Sequence, residues 1–145
     1  CKKTGIDGLI IPDLPLAEYQ SEYQFLFEKN CIPMIMLITP QTSEERIGEI
    51  ANASGGFLYV VADSSTTGAR DGIRDTQMDY FKMVKDLDLQ IPRLIGFGIS
   101  NAETFQKACK YASGAIIGSA FIRCLTESGE ISLESSVSQF AASIR

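Results

Sequence analysis

Short apolar runs alternate with longer stretches in which apolar residues recur every three or four positions. DGLIIP (7–12) is an apolar, β-branched run closed by a turn-like DLP. LAEYQSEYQFLFEKN (16–30) then places Leu16, Tyr19, Tyr23, Leu26 and Phe27 at helical spacing. PMIMLIT (33–39) is continuously apolar, the pattern of a strand buried on both faces. TSEERIGEIANAS comes next, with Thr42 and Glu45 spaced as a capping box. FLYVVA (57–62) is a third strand, and a polar stretch, 63–75, leads to a helix near TQMDYFKMVKDLDL. RLIGFG is a fourth strand, and Ser100 with Glu103 forms a second capping box opening the helix NAETFQKACKYA. GAIIG is the fifth strand; a short helix begins near Ser119, and SLESSVSQFAASI closes the chain as a helix.

Strands separated by helices build right-handed βαβ units and a parallel sheet. Two α/β architectures compete, a doubly wound open sheet and a TIM (β/α)8 barrel. A dinucleotide-binding sheet carries its Gly-rich turn after the first strand, but here that strand ends in PDLPL and the glycines come late. Phosphate sites built by the last two βα loops are a barrel habit, which favours the barrel. A barrel needs eight strands and about 200–250 residues, whereas these 145 residues show five strands. The opening CKKTGIDG reads as the end of a helix entering a strand. Residues 1–145 are therefore expected to be the C-terminal part of a single barrel domain, strands four to eight. The stretch 63–75 is long for a βα loop, and its Ser, Thr and Gly content predicts a mobile lid.

Composition narrows the chemistry. Histidine is absent, so acid–base work would fall to carboxylates, Tyr, Cys or Lys, and a His-ligated metal is excluded. Cys1, Cys31, Cys109 and Cys124 show no CxxC spacing. They are expected to be reduced, mostly buried thiols of a cytoplasmic protein, with Cys31 and Cys109 in apolar surroundings. The net charge of −5 and the lack of a basic block argue against nucleic acid as a partner. No apolar run approaches the roughly 18 residues of a membrane span, and the start lacks a signal-peptide pattern.

LIGFGIS (94–100) and GAIIGSA (114–120) are apolar runs that end in glycine just where a helix begins. A helix N-terminus offers unpaired N–H groups and partial positive charge, and a glycine beside it lets an anion approach the backbone. Gly98 and the pair Gly118–Ser119 would set two such ends side by side and grip one phosphate without Lys or Arg. Both positions are predicted at helix starts. Either glycine alone would fit any βα turn.

PDLPLAEY, FLYVVADSSTTGARDGI, LIGFGIS and GAIIGSAF, in this order and spacing, resemble the α subunit of tryptophan synthase over nearly the whole chain. GFGIS and GSA are shared with other phosphate-binding barrels; the D-x-P after strand four and the T-G-A of the later loop make the likeness specific. The resemblance implies retro-aldol cleavage of indole-3-glycerol phosphate to indole and glyceraldehyde 3-phosphate, with no cofactor and no metal, and with the tryptophan synthase β subunit as partner. It implies phosphate donors at Gly68, Gly98, Gly118 and Ser119. The indole ring would lie against Ile10, Tyr59, Phe97 and Ile116, with Thr67 on the lid and Asp13 on the partner face. Tyr59, Phe97 and Ile116 would equally serve as core residues, and Asp13 as a turn cap. Where the family lid often reads SRSGVTG, this chain has ADSSTTG, with Asp63 and Ser65 in place of Arg and Gly. The family's catalytic Glu and the Asp that binds the indole N–H would lie before Cys1, so no catalytic residue is assigned within the chain; Asp63 and Asp71 read as solvated loop acids. Another phosphate-binding barrel isomerase, or a module that mainly docks a partner, are the alternatives.

Overall fold

The computed structural model describes residues 1–62, 75–96, 98–127 and 132–144. The expected lid, with Asp63, Ser65, Thr67, Gly68 and Asp71, lies outside the described residues, as does Phe97. Among the described residues six strand segments form: β1 Leu9–Ile10, β2 Met34–Ile35, β3 Leu37–Ile38, β4 Leu58–Val61, β5 Arg93–Gly96 and β6 Gly114–Ile116. Every pairing is parallel. β1 pairs with β2, and β3 to β6 pair in sequence order. Only Met36 separates β2 from β3, because its N–H leaves the ladder for the Ser54 hydroxyl at 2.9 Å. That hydroxyl donates in turn to the Phe57 carbonyl at 2.8 Å. β2 and β3 are thus one interrupted strand, and the five expected strands stand in their order along the chain.

The helices are α1 Leu16–Glu18, α2 Gln24–Asn30, α3 Glu44–Ala53, α4 Asp75–Asp86, α5 Ala102–Cys109, α6 Ser119–Glu127 and α7 Leu133–Ile144. The main core joins one alternate set of strand residues to the helices. Met34, Met36, Ile38, Leu58, Val60 and Ile95 pack with Ile47, Tyr80, Phe81, Val84 and Ala108. Leu37, Tyr59, Leu94 and Ile116 take no part in that cluster. Helical cover therefore lies on one face, whereas a doubly wound sheet carries helices on both. Sequential strand order and one-sided cover together describe an arc of a (β/α)8 barrel. Burying each large side chain of this layer, such as Phe81, Ile38 and Leu58, stabilises the arc by about 1.5–3 kcal/mol.

Local chemistry departs from the expected pattern at four places. The helix over 16–30 is interrupted by a π-helical turn, Tyr19–Tyr23. The wider turn changes the facing of the residues after it: Tyr19 and Phe27 meet edge-on at 5.3 Å between centroids, while Leu26, expected inward, is 50% exposed. The cap of α3 is Ser43, which accepts from the Arg46 N–H; Thr42 instead accepts the Thr39 N–H at 3.0 Å. α5 is capped by Asn101 with Thr104, not by Ser100 with Glu103. Asn101 is extended, so its short amide reaches the Thr104 N–H at 2.9 Å, and Glu103 turns outward to Lys107. The four cysteines are free thiols, as expected, but not buried. Cys31 ends α2 in the left-handed region (φ 54°) and Cys109 is exposed beside fully buried Ala108.

Candidate active site

Register builds the site from the face that the helices leave uncovered. Leu37, Tyr59, Leu94 and Gly114 stand in one row across four strands. Two residues further along, Val61, Gly96 and Ile116 form the next row on that face. Ile10 aligns with Ile35 on β1–β2. Ile10, Gly96 and Ile116 each end their strand, and catalytic sites of barrels gather at that end. Ile10, Tyr59 and Ile116 thus share the uncovered face; Ile10 stands on the first strand of the arc and Ile116 on the last, and Ile10 is 42% exposed.

Tyr59 leans across the neighbouring strand. A Cβ built at Gly96 would overlap the Tyr59 hydroxyl and ring carbons. Glycine inside a strand often marks such a close approach, and here it makes room for the phenol. Burial raises the Tyr59 hydroxyl above its ordinary value, so the ring presents a neutral phenol throughout the physiological range. Sequence reasoning misses Gly96 as a site residue; its place inside an apolar strand run is the one signal that could have found it.

Gly98 and Gly118 each come two residues after the register pair Gly96–Ile116, so both follow the ends of adjacent strands. Among the described residues, a Cβ at either would meet nothing within 4 Å. Gly118 immediately precedes α6, and the first helical bond there runs from the Ile122 N–H to the Gly118 carbonyl at 3.0 Å. The amides of Ser119, Ala120 and Phe121 precede that bond. Gly98 behaves differently from the expectation of a helix start. It takes φ 78° in a turn, while α5 begins only at Ala102. Ile99 folds back to 5% exposure, which carries the chain inward, and the Asn101–Thr104 box then occupies the first-turn amide of α5. Only the α6 terminus directly follows its glycine.

Asp13 is exposed in a tight turn closed by the Leu14 N–H and the Ile11 carbonyl at 3.2 Å. Its place suits a turn-forming aspartate and leaves its carboxylate on the surface. Among the described residues no cluster of His, Cys, Asp and Glu could hold a metal ion, and no helix is long and apolar enough to cross a membrane.

A family model described as tryptophan synthase alpha chain matches residues 1–145. The tryptophan synthase alpha chain of Flavobacterium psychrophilum is 51% identical over 139 residues, covering 96% of this chain and 55% of the relative. That of Flavobacterium johnsoniae is 50% identical over 145 residues, covering 100% and 56%. The solved tryptophan synthase A-subunit of Pyrococcus furiosus superposes with a TM-score of 0.81 at 26% identity, over 99% of this chain and 56% of that one. A chain of the a2b2 complex from the same organism gives 0.81 at 28% identity, over 99% and 57%. The chain spans about half the length of the curated relatives it matches.

Proposed function

This chain belongs to the tryptophan synthase alpha chain family, and on that premise we propose that it forms the C-terminal part of a single-barrel lyase. The reaction is cleavage of the carbon–carbon bond of indole-3-glycerol phosphate, releasing indole and glyceraldehyde 3-phosphate. Residues 1–145 supply the phosphate grip and much of the ring pocket. A Glu acting as general acid–base and an Asp stabilising positive charge on the indole nitrogen belong to the remainder of the barrel.

The observation that supports this reading best is the pair Gly98 and Gly118, each just past the end of one of two neighbouring strands, with no described atom within 4 Å of a Cβ at either. A phosphate there would meet the first amides of α6 and the Ser119 hydroxyl, with the positive end of the helix dipole behind them. Tyr59 and Ile116, in successive rows of the uncovered face, would flank the indole ring, with Ile10 across the arc, and Phe97, Thr67 and Gly68 complete the assignment. Asp13, exposed in its turn, is assigned to the face that would meet a β subunit; a solved relative is described as part of an a2b2 complex. The four free thiols accord with a cytoplasmic setting.

The test is indole release from indole-3-glycerol phosphate by the full-length protein, wild type against Gly118→Val. A branched side chain at 118 would fill the space an anion needs, so KM is expected to rise about tenfold or more, the loss of at least one charge-assisted hydrogen bond. A correctly folded Gly118→Val with unchanged affinity for glycerol phosphate would falsify the phosphate assignment.

A further inference from the structure

The C-terminal end of β4 is clamped from two sides. Ala62, only 3% exposed, donates its N–H to the Gly96 carbonyl at 3.1 Å. Its own carbonyl accepts from Gln77 Nε2 at 2.8 Å. Gln77 is the third residue of α4. Among the described residues the β3 register stops short of this level, its last residue, Ile38, pairing with Val60. The end of β4 is therefore fixed to β5 through Gly96 and to the helical layer through Gln77. Gly96 is also the residue over which Tyr59 lies without spare room. Tyr59 stands three residues before Ala62 on the same strand, so a displaced strand end changes how the ring meets β5.

We propose that Gln77 is a positioning residue of the ring pocket: its side-chain amide holds the Ala62 carbonyl and thereby sets where Tyr59 stands against Gly96. This rests on the reading of Tyr59 as part of the indole pocket. A purely structural role, satisfying one buried carbonyl, would lower stability without altering ligand preference. The two roles separate by comparing a ligand that carries the ring with one that does not.

In the full-length protein, Gln77→Met removes the donor at similar length and helix propensity, and Gln77→Lys keeps a donor. The measurements are melting temperature, kcat and KM for indole-3-glycerol phosphate, and Kd for glycerol 3-phosphate. Gln77→Met is expected to raise KM about tenfold while the Kd of the ringless ligand moves less than about twofold; Gln77→Lys is expected to recover most of the loss. A lowered melting temperature with unchanged KM overturns the inference, and so does equal weakening of both ligands. If Gln77→Met does not fold, Gln77→Glu gives the same comparison, because a carboxylate suits a helix N-terminus yet cannot donate to Ala62. Absence of indole release from the wild type overturns the functional reading, and this inference with it; that result is distinct from any change confined to the variants.

Discussion

Gly96 shows how one missing side chain can govern another. A methyl group there would occupy the volume of the Tyr59 phenol, so Gly96→Ala forces either the ring or the strand to move. Overpacking of this kind costs about 1–3 kcal/mol. Chemical denaturation should register that loss, and Tyr59→Leu should recover part of it; additive effects in the double variant would show that the two residues do not meet. Tyr80 poses the opposite problem. Its hydroxyl is buried without a hydrogen-bond partner among the described residues. Tyr80→Phe is expected to leave stability unchanged or raise it by about 1 kcal/mol, since it removes an unsatisfied group. Burial also holds the Tyr80, Tyr59 and Tyr19 hydroxyls above their ordinary value near 10. Raised folded values favour the neutral phenols. The stability they contribute is fully present below about pH 10 and is lost as pH rises through the folded values. Denaturant midpoints followed from pH 8 to 11 should therefore fall above pH 10, and less steeply for Tyr80→Phe.

Helix starts test how finely an element can be read before its geometry is known. Asn101→Ala should cost about 1 kcal/mol of stability, against a few tenths for Ser100→Ala. Equal losses in thermal melts would return the cap to Ser100. The existence of α5 was legible in SNAETF, but two adjacent residues, Ser100 and Asn101, could each cap it. The choice fell to backbone dihedrals that follow from the burial of Ile99. The same one-residue ambiguity moved the cap of α3 from Thr42 to Ser43. In LAEYQSEYQFLFEKN the spacing announced a helix correctly, yet an intervening π turn placed Leu26 outside. Hydrophobic spacing assumes one constant pitch and cannot register a local widening. Cysteine burial failed for a related reason: Cys109 adjoins the buried Ala108 in sequence, but one helical step of about 100° takes it to the outer face.

Strand order was legible at the scale of the molecule because each apolar run sits between helical stretches of ordinary length. Late glycines pointed to the barrel, and one-sided helical cover bears that out. The mutual placement of Tyr59, Gly96 and Gln77 was not legible, since it depends on register between segments 15 or more residues apart. The arc ends on β1 and β6, and beside β1 the side chains of Ile6, Ile10 and Ile11 are 42%, 42% and 38% exposed. Apolar edge strands pair readily with other chains. Residues 1–145 expressed alone should therefore sediment as an associating species and release no indole; a cooperative, stable monomer would count against this. The interruption at Met36 bears on how the arc opens. One hydroxyl, Ser54 Oγ, both accepts from the Met36 amide and donates to the Phe57 carbonyl, so a single side-chain rotation frees one backbone group at the join between β2 and β3 and another just ahead of β4. In deuterated solvent the Met36 amide should therefore exchange through local opening, ahead of the flanking ladder, and Ser54→Ala should accelerate that one site far more than the amides of β4.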